Sequence, residues 1–180
     1  MKKIAVLILC AALLMAAALA EGAVGMPNPI VEVKDDDEFE RVLGIDVDAD
    51  DLPSRDVRMS IIGGKVGQIV FNLENVNGDS VEWVLRFTKD ASLDRSVEGF
   101  AGIYDASCTA PETRAVPWQD DPDDPVEEIE LTSVVAPTVG CDIYFWSYRG
   151  TYYALTINGD YSQMQFAAAM DSIFEACLDD

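Results

Sequence analysis

The sequence predicts an α+β domain, an antiparallel sheet with one face covered by a short N-terminal helix and a longer C-terminal helix. Two observations carry this prediction. In the middle of the chain apolar and polar residues alternate, as at Trp83, Leu85 and Phe87, and a period of two is typical of strands with one wet face. Near both ends of the domain the apolar residues recur instead at the spacing of a helix.

Both predicted helices have start and stop signals. The acidic residues 35–38 open the first helix, and Gly44 follows it as a stop. Ser162 and Gln165 form a capping box at the start of the second helix. The core-facing stripe of the second helix comprises Phe166, Met170, Ile173, Phe174 and Cys177.

Three dipeptides indicate turns between the strands. Gly63-Gly64 and Asn77-Gly78 are typical hairpin signals. Arg149-Gly150 indicates a third hairpin, whose register stays open because Arg is a poor residue for a positive φ. The predicted strands cover residues 58–62, 66–73, 81–87, 99–104, 128–131, 139–148 and 151–157.

Residues 1–20 have the order of a secretory signal peptide, which is removed from the mature protein. Two lysines come first, an apolar run follows, and Ala18-Leu19-Ala20 is a small-x-small cleavage site. Cys10 lies too early in this run, and after a leucine, to be a lipid attachment site. We therefore predict a secreted protein, with residues 21–29 as an extended lead-in and residues 30–180 as a single α+β domain. A leader retained as an anchor is the alternative.

The composition argues against several classes of function. The leader holds two of the 12 basic residues, so the mature chain carries 10 against 33 acidic ones, a formal charge of −23. Binding of phosphate needs clustered Lys and Arg, so nucleic acid and anionic membranes are not expected partners. The chain has no histidine, which rules out Ser-His-Asp and Cys-His catalysis and histidine-bound zinc.

Asp46, Asp48 and Asp50 are the candidate metal ligands. Carboxylates at alternate positions begin an EF-hand-like calcium loop, in which they converge on one hard cation. The rest of that loop is absent, because position six is Asp51 instead of Gly and position twelve is Val57 instead of Glu. In a strand the same spacing places the three carboxylates along one solvated face. The sequence therefore requires no cofactor, and calcium is the alternative.

Two other groups of residues have both a functional and a structural interpretation. The acidic loop 119–125, with Glu127 and Glu128 beyond it, is either a weak cation patch or a hydrated loop. One predicted hairpin is rich in aromatic residues, which either stack on a sugar or peptide or pack as core under the terminal helix. Core is the favoured interpretation. The aromatic residues of this hairpin are Tyr144, Trp146, Tyr148, Tyr152 and Tyr153.

The mature chain has three cysteines, an odd number for an oxidising compartment. If the last three elements alternate in direction, Cys141 begins a strand and Cys177 ends the helix about 20 Å away, beyond disulfide reach. Cys108 follows the predicted strand 99–104, which would end near the level where the predicted strand 139–148 starts. Cys141 lies near that start. We therefore favour a Cys108–Cys141 disulfide with Cys177 as a buried thiol, while the other two pairings and no bond at all stay open.

Short motifs occur along nearly the whole mature chain. They are Asn28-Pro29-Ile30-Val31-Glu32-Val33, Leu43-Gly44-Ile45, Pro53, Gly67-Gln68-Ile69-Val70-Phe71, Leu85-Arg86-Phe87, Phe100-Ala101-Gly102-Ile103-Tyr104, Trp146 and Gly150-Thr151-Tyr152-Tyr153-Ala154-Leu155. In this order they resemble a domain-of-unknown-function family found in secreted proteins of Gram-positive anaerobes, where Ser is commoner than Ala at position 101. The resemblance implies one secreted domain and brings no activity or site residues with it.

From these observations we predict a secreted, non-catalytic domain that binds a protein, peptide or glycan outside the cell. The first alternative is a calcium-stabilised extracellular module built on Asp46, Asp48 and Asp50. The second is a carboxylate-dependent hydrolase, which requires two facing acids in a cleft lined by Trp or Tyr.

Overall fold

The computed structural model describes residues 29–93, 95–104, 106–119 and 125–178. The predicted leader lies outside these residues, and so does the core of the predicted acidic loop, residues 120–124.

Within the described residues eight strands form one antiparallel sheet, in the order β1-β2-β3-β4-β8-β7-β6-β5. These elements confirm the predicted α+β class and its antiparallel sheet. The strands are β1 (Ile30–Val33), β2 (Val57–Ile62), β3 (Val66–Glu74), β4 (Ser80–Thr88), β5 (Glu112–Trp118), β6 (Glu127–Ala136), β7 (Cys141–Tyr148) and β8 (Thr151–Asn158). The helices are α1 (Asp37–Leu43) and α2 (Gln163–Leu178).

Two meanders of four strands meet at the centre of the sheet. Strands β1 to β4 pair in sequence order, β5 to β8 do the same, and β4 pairs with β8. The chain must therefore travel from the centre of the sheet to its far edge between β4 and β5, through residues 89–111, which we call the β4–β5 link. Strands β1 and β5 are the two edges.

The two hairpins predicted in the first meander are confirmed. Gly63 and Gly64 connect β2 to β3 with positive φ angles of 60° and 67°, which glycine adopts without steric cost. The turn between β3 and β4 contains the predicted Asn-Gly pair and is held by the side chain of Asn75. Its Oδ1 accepts hydrogen bonds from the backbone N–H of Asn77 at 2.9 Å and of Asp79 at 3.0 Å.

The hairpin between β7 and β8 turns at the predicted Arg149-Gly150 pair. Arg149 has a φ of 44° and Gly150 a φ of 83°, so Arg149 does adopt the conformation that disfavours it. The register that the sequence leaves open places Trp146 opposite Tyr153. Their rings stack with centroids 5.1 Å apart.

Both helices begin or end at the predicted residues. Gly44 caps α1 with a φ of 66°, and the capping box of α2 forms in both directions. Ser162 Oγ accepts from the Gln165 N–H at 3.2 Å, and Gln165 Oε1 accepts from the Ser162 N–H at 3.0 Å. The predicted stripe of α2 is buried at Phe166, Met170, Ile173, Phe174 and Cys177.

No helix of the described residues is both long enough and apolar enough to span a membrane.

Aromatic contacts join the helices to the strands. In α1, Phe39 packs edge-on against Phe87 of β4, with ring centroids 4.9 Å apart. In α2, Phe174 packs against Trp146 of β7 and Trp118 of β5, each at 5.7 Å. Full burial of one such side chain contributes about 1.5–3 kcal/mol to the free energy of unfolding. These contacts therefore help to hold the helices against the strands.

The prediction of a strand at residues 99–104 is wrong. Within the β4–β5 link, residues 99–101 turn and bend, and residues 102–104 have no regular secondary structure. Gly102 has a φ of 73°, and the Phe100 carbonyl accepts from Arg86 Nη1 at 2.9 Å. The apolar residues that suggested a strand instead cover part of the sheet. More of the sheet surface is therefore shielded from water than the alternation predicts. Together they form a second core, made of Phe100, Ala101, Ala136, Cys141, Ile143 and Ala154.

Alternation of apolar residues does not predict β1 or β5. β1 has four residues, three of them exposed, and β5 has no buried residue. β5 also contains Pro117, which is tolerated because edge strands need not donate from every residue. Edge strands lack the buried face that alternation reports.

We expect Gly67→Ala to destabilise the protein. A Cβ on Gly67 would overlap the ring of Phe87, which is fully buried and cannot move aside freely. Overpacking of this kind costs about 1–3 kcal/mol in the free energy of unfolding, which urea unfolding measures. The cost should shrink in a Phe87→Leu background. An equal cost in both backgrounds would trace the effect to the backbone of glycine instead.

Candidate functional site

A cleft of about 850 Å³ lies between the β5–β7 end of the sheet and the N-terminal half of α2. Strands β5, β6 and β7, the β8–α2 connection and α2 all contribute to its lining. Ligand pockets commonly measure about 300–1,000 Å³, so the cleft has the size of a ligand site.

Apolar and aromatic side chains make up much of the lining. The ring of Phe166 on α2 lies 4.5 Å from that of Tyr144 on β7 and 5.8 Å from that of Tyr161, centroid to centroid. These contacts fix the ring positions on both sides of the cleft. The remaining large apolar lining residues are Val116, Leu131, Val135, Met170 and Phe174.

Tyr144, Tyr161 and Asp142 form a chain of two short hydrogen bonds in the cleft, which we call the tyrosine chain. The Tyr161 hydroxyl lies 2.5 Å from Asp142 Oδ2 and 2.6 Å from the Tyr144 hydroxyl. A carboxylate only accepts hydrogen bonds, so Tyr161 donates to Asp142. Since each hydroxyl has one proton, Tyr144 must then donate to Tyr161.

Burial raises the pKa of both tyrosines above the ordinary value. For Tyr161 the hydrogen bonds to Asp142 and Tyr144 act in the same direction as burial, whereas for Tyr144 its bond to Tyr161 partly opposes burial. Both hydroxyls therefore keep their protons at neutral pH, and each hydrogen bond of the tyrosine chain keeps the same donor and acceptor there.

The charges of the cleft are mainly negative. Asp142, Asp160 and Asp171 line it together with one cation, Arg114 of β5. The Arg114 guanidinium lies 5.7 Å from the ring centroid of Phe166, a cation–π distance. Of the described residues that line the cleft, no other is charged, so carboxylates outnumber cations by three to one.

Sequence reasoning identified only part of this site. Tyr144 belongs to the predicted aromatic hairpin, and Trp146 and Tyr153 of the same hairpin are buried, as the core interpretation favours. Tyr161 and Arg114 were not predicted. Tyr161 stands alone between a strand and the capping residue of a helix, and Arg114 lies on an edge strand without alternation, so neither position gives a pattern.

The three predicted metal ligands do not lie in a strand. Asp46 and Asp48 belong to the irregular segment after α1, and Asp50 belongs to the turn that follows it. A pocket of about 390 Å³, here called the acidic pocket, collects Asp46, Asp48 and Asp50. No basic residue is among the described residues that line it. The other acidic residues of this lining are Asp36, Asp37, Asp51 and Glu175.

Three carboxylates of the acidic pocket have partners. Arg55 Nη1 lies 3.4 Å from Asp50 Oδ1, an exposed ion pair. Asp36 Oδ2 accepts from the Ala49 N–H at 2.9 Å, which ties the start of α1 to the turn. Asp48 Oδ1 accepts from the Asp50 N–H at the same distance. Among the described residues, Asp35, Asp36 and Asp37 at the start of α1 each have one carboxylate oxygen within 4.8 Å of the other two. The turn and the start of α1 thus share one acidic surface.

No disulfide joins the cysteines of the described residues. Cys108 is exposed, and Cys141 and Cys177 are buried free thiols, as expected for Cys177. Burial raises the pKa of Cys141, and Asp142 and Cys108 add to the shift. The Thr109 N–H also donates to the Val135 carbonyl at 2.9 Å, which brings the segment of Cys108 to β6. The Cys108–Cys141 pairing stays a prediction.

Comparison with protein-family profiles, with curated proteins and with solved structures finds no match for this chain.

We expect the stability of the protein to fall above about pH 10. The pKa of Tyr161 is raised in the folded state by burial and by its bonds to Asp142 and Tyr144, so the unfolded chain loses this proton first. The stabilisation is complete below the ordinary tyrosine pKa of about 10 and is lost as the pH rises further, by up to about 1.4 kcal/mol per pH unit.

Urea unfolding between pH 8 and pH 11.5 measures this slope. Tyr161→Phe should make it less steep, because the folded protein then holds one proton fewer. Tyr104→Phe alters a ring that is 67% exposed and is the matched control. If both variants lose stability as steeply as the parent, the tyrosine chain does not cause the dependence.

Proposed function

We propose that this chain is a secreted, non-catalytic binding domain whose ligand occupies the cleft between β5–β7 and α2. The cleft is the observation that carries the proposal, because it combines an apolar and aromatic lining with a small number of converging polar groups. Secretion rests on the leader-like residues 1–20. The resemblance to a family of secreted domains agrees with the same proposal.

We also infer how the fold leaves this cleft open. The side chains of Phe87, Tyr153 and Leu155 follow one face of the paired strands β4 and β8, and Phe39 of α1 contacts this face. The Tyr153 hydroxyl donates to the Cys177 carbonyl near the end of α2, at 2.9 Å. Both helices thus cover the same face, and the cleft lies where the first half of α2 faces the outer strands.

A binding role fits the tyrosine chain better than the hydrolase alternative does. A hydrolase of this kind needs one carboxyl group that donates a proton to the leaving group. Asp142 instead accepts a hydrogen bond from Tyr161, which holds it in the role of an acceptor. The other two carboxylates of the lining, Asp160 and Asp171, belong to exposed residues.

A pair of neighbouring alanines on α2 tests the location of the ligand. Ala167 lines the cleft, whereas Ala168 does not, and both are exposed. Ala167→Trp should fill the cleft, and Ala168→Trp adds the same ring elsewhere on the helix. For any ligand that binds in the cleft, we expect at least a tenfold loss of affinity in Ala167→Trp and less than a twofold loss in Ala168→Trp.

The measurement is a titration of the ¹⁵N-labelled mature chain by NMR, with short peptides and with cello- and chito-oligosaccharides as probes. Amide shifts that map to the cleft and disappear in Ala167→Trp support the proposal. Equal binding by both tryptophan variants, or shifts on another surface, would place the function elsewhere. Cleavage of a probe during the titration would make the protein an enzyme.

A calcium-stabilised extracellular module is the second candidate, and the acidic pocket is the observation that favours it. Seven carboxylates from α1, the following turn and α2 line this pocket. Their mutual repulsion is relieved by a bound divalent cation, and oxygen donors are what calcium prefers. The pocket includes all three residues that the sequence singles out.

Thermal unfolding in millimolar calcium, in equal magnesium and in chelator tests this candidate. A ligand at about 100 times its Kd adds about 2.7 kcal/mol, which raises the midpoint by several degrees. We expect the rise with calcium and not with magnesium, and its loss in Asp46→Asn but not in Asp79→Asn, a change in the β3–β4 turn. Equal midpoints in calcium and chelator would leave the carboxylates as solvated surface.

A further inference from the structure

We propose that the ligand of the cleft is a cationic polypeptide segment, whose lysine or arginine side chain binds at the tyrosine chain. This inference rests on the proposed binding function and names the class of ligand. The hydrogen-bonding capacity of the tyrosine chain and the charge of the lining both support it.

The tyrosine chain offers acceptors and no free donor. The proton of Tyr161 is used on Asp142 and that of Tyr144 is used on Tyr161. What is left is the second oxygen of the Asp142 carboxylate and the lone pairs of the two hydroxyls. A group that binds here must therefore donate several hydrogen bonds and accept none, and ammonium and guanidinium groups are the side chains of that kind.

The charges of the lining act in the same direction. Asp160 and Asp171 lie in the cleft together with Asp142, and the chain as a whole has a formal charge of −21. Among the described lining residues Arg114 is the one cation, and it lies over the ring of Phe166. A cationic ligand is therefore attracted from a distance and paired on arrival, whereas an anionic ligand meets three carboxylates.

The chemistry of the donor favours polypeptide over glycan as the carrier of the cation. Lysine and arginine carry ammonium and guanidinium groups, whereas neutral sugars present hydroxyl groups, which accept as well as donate. The segment lies in the cleft itself and not along the free edge of β5. A strand added at that edge would be three strand spacings from β7, about 14 Å, which is farther than a lysine or arginine side chain reaches.

The aromatic lining suits the stem of the same side chain. The methylenes of lysine or arginine can lie on Phe166 and Tyr144 while the charged head reaches Asp142. The head is then within reach of the aromatic faces, which adds cation–π attraction. One side chain would thus use both the apolar and the polar part of the lining.

Three labelled hexapeptides test the inference by fluorescence anisotropy on the mature chain. All three alternate valine with a second residue, which is lysine in the first, threonine in the second and glutamate in the third. We expect the lysine peptide to bind at least tenfold more tightly than the threonine peptide, and the glutamate peptide not to bind. The lysine peptide should shift the amide resonances of β7 and α2.

Two cleft variants and one control separate a specific site from general attraction to an acidic protein. Asp142→Asn should weaken binding of the lysine peptide at least tenfold. Asp171→Asn, at an exposed residue of α2, should weaken it severalfold without affecting the fold. Glu98→Gln removes the same charge from the β4–β5 link, outside the lining, and should change the affinity less than twofold.

Several results would overturn the inference. Equal losses in Asp142→Asn, Asp171→Asn and Glu98→Gln would show attraction to net charge alone. Threonine and lysine peptides of equal affinity, or no binding of the lysine peptide at millimolar concentration, would exclude a cationic ligand. A neutral oligosaccharide that binds in the cleft and is blocked by Ala167→Trp would refute the peptide while leaving the proposed binding function intact.

Discussion

The pairing of β4 with β8 is the constraint on which the rest of the structure depends. Seven residue pairs, from Glu82–Asn158 to Thr88–Tyr152, join the two meanders along this line. Because β8 ends the second meander, its first strand, β5, becomes the far edge of the sheet. The cleft lies at that edge, and its position therefore follows from a contact made at the centre. A different order of the meanders would place β5 inside the sheet and leave no such wall.

The same pairing explains the second core. The chain must pass from β4 at the centre to β5 at the edge, and the β4–β5 link does so across the sheet. Arg86 holds it there, with Nη1 donating to the Phe100 carbonyl at 2.9 Å and Nε donating to Gln68 Oε1 at 2.8 Å. On the link, Arg95 lies 3.2 Å from the ring centroid of Tyr152. The link thus shields from water the part of the sheet that it covers.

The sequence predicts those features of the fold that a few neighbouring residues determine. The turns at Gly63-Gly64 and Arg149-Gly150 and the capping box of α2 are all confirmed, since each needs only a few consecutive residues. The β4–β8 pairing joins residues about seventy positions apart, and no local pattern reports it. The apolar residues of segment 99–104 resemble a strand locally, although Phe100 and Ala101 serve a tertiary contact with the sheet. The cleft was missed for the same reason, because Asp142 and Tyr161 meet only when β7, β8 and α2 are assembled.

The composition of the chain also determines how the cleft responds to its surroundings. With no histidine in the sequence, no imidazole changes its charge between pH 5 and pH 8. Tyr144 and Tyr161 of the tyrosine chain have a raised pKa and keep their protons throughout that range. The pattern of acceptors offered to a ligand is therefore constant near neutral pH. Salt is different, because the attraction between separated charges is screened over about 8 Å at physiological ionic strength. A site of this kind therefore responds to the ionic strength of the medium.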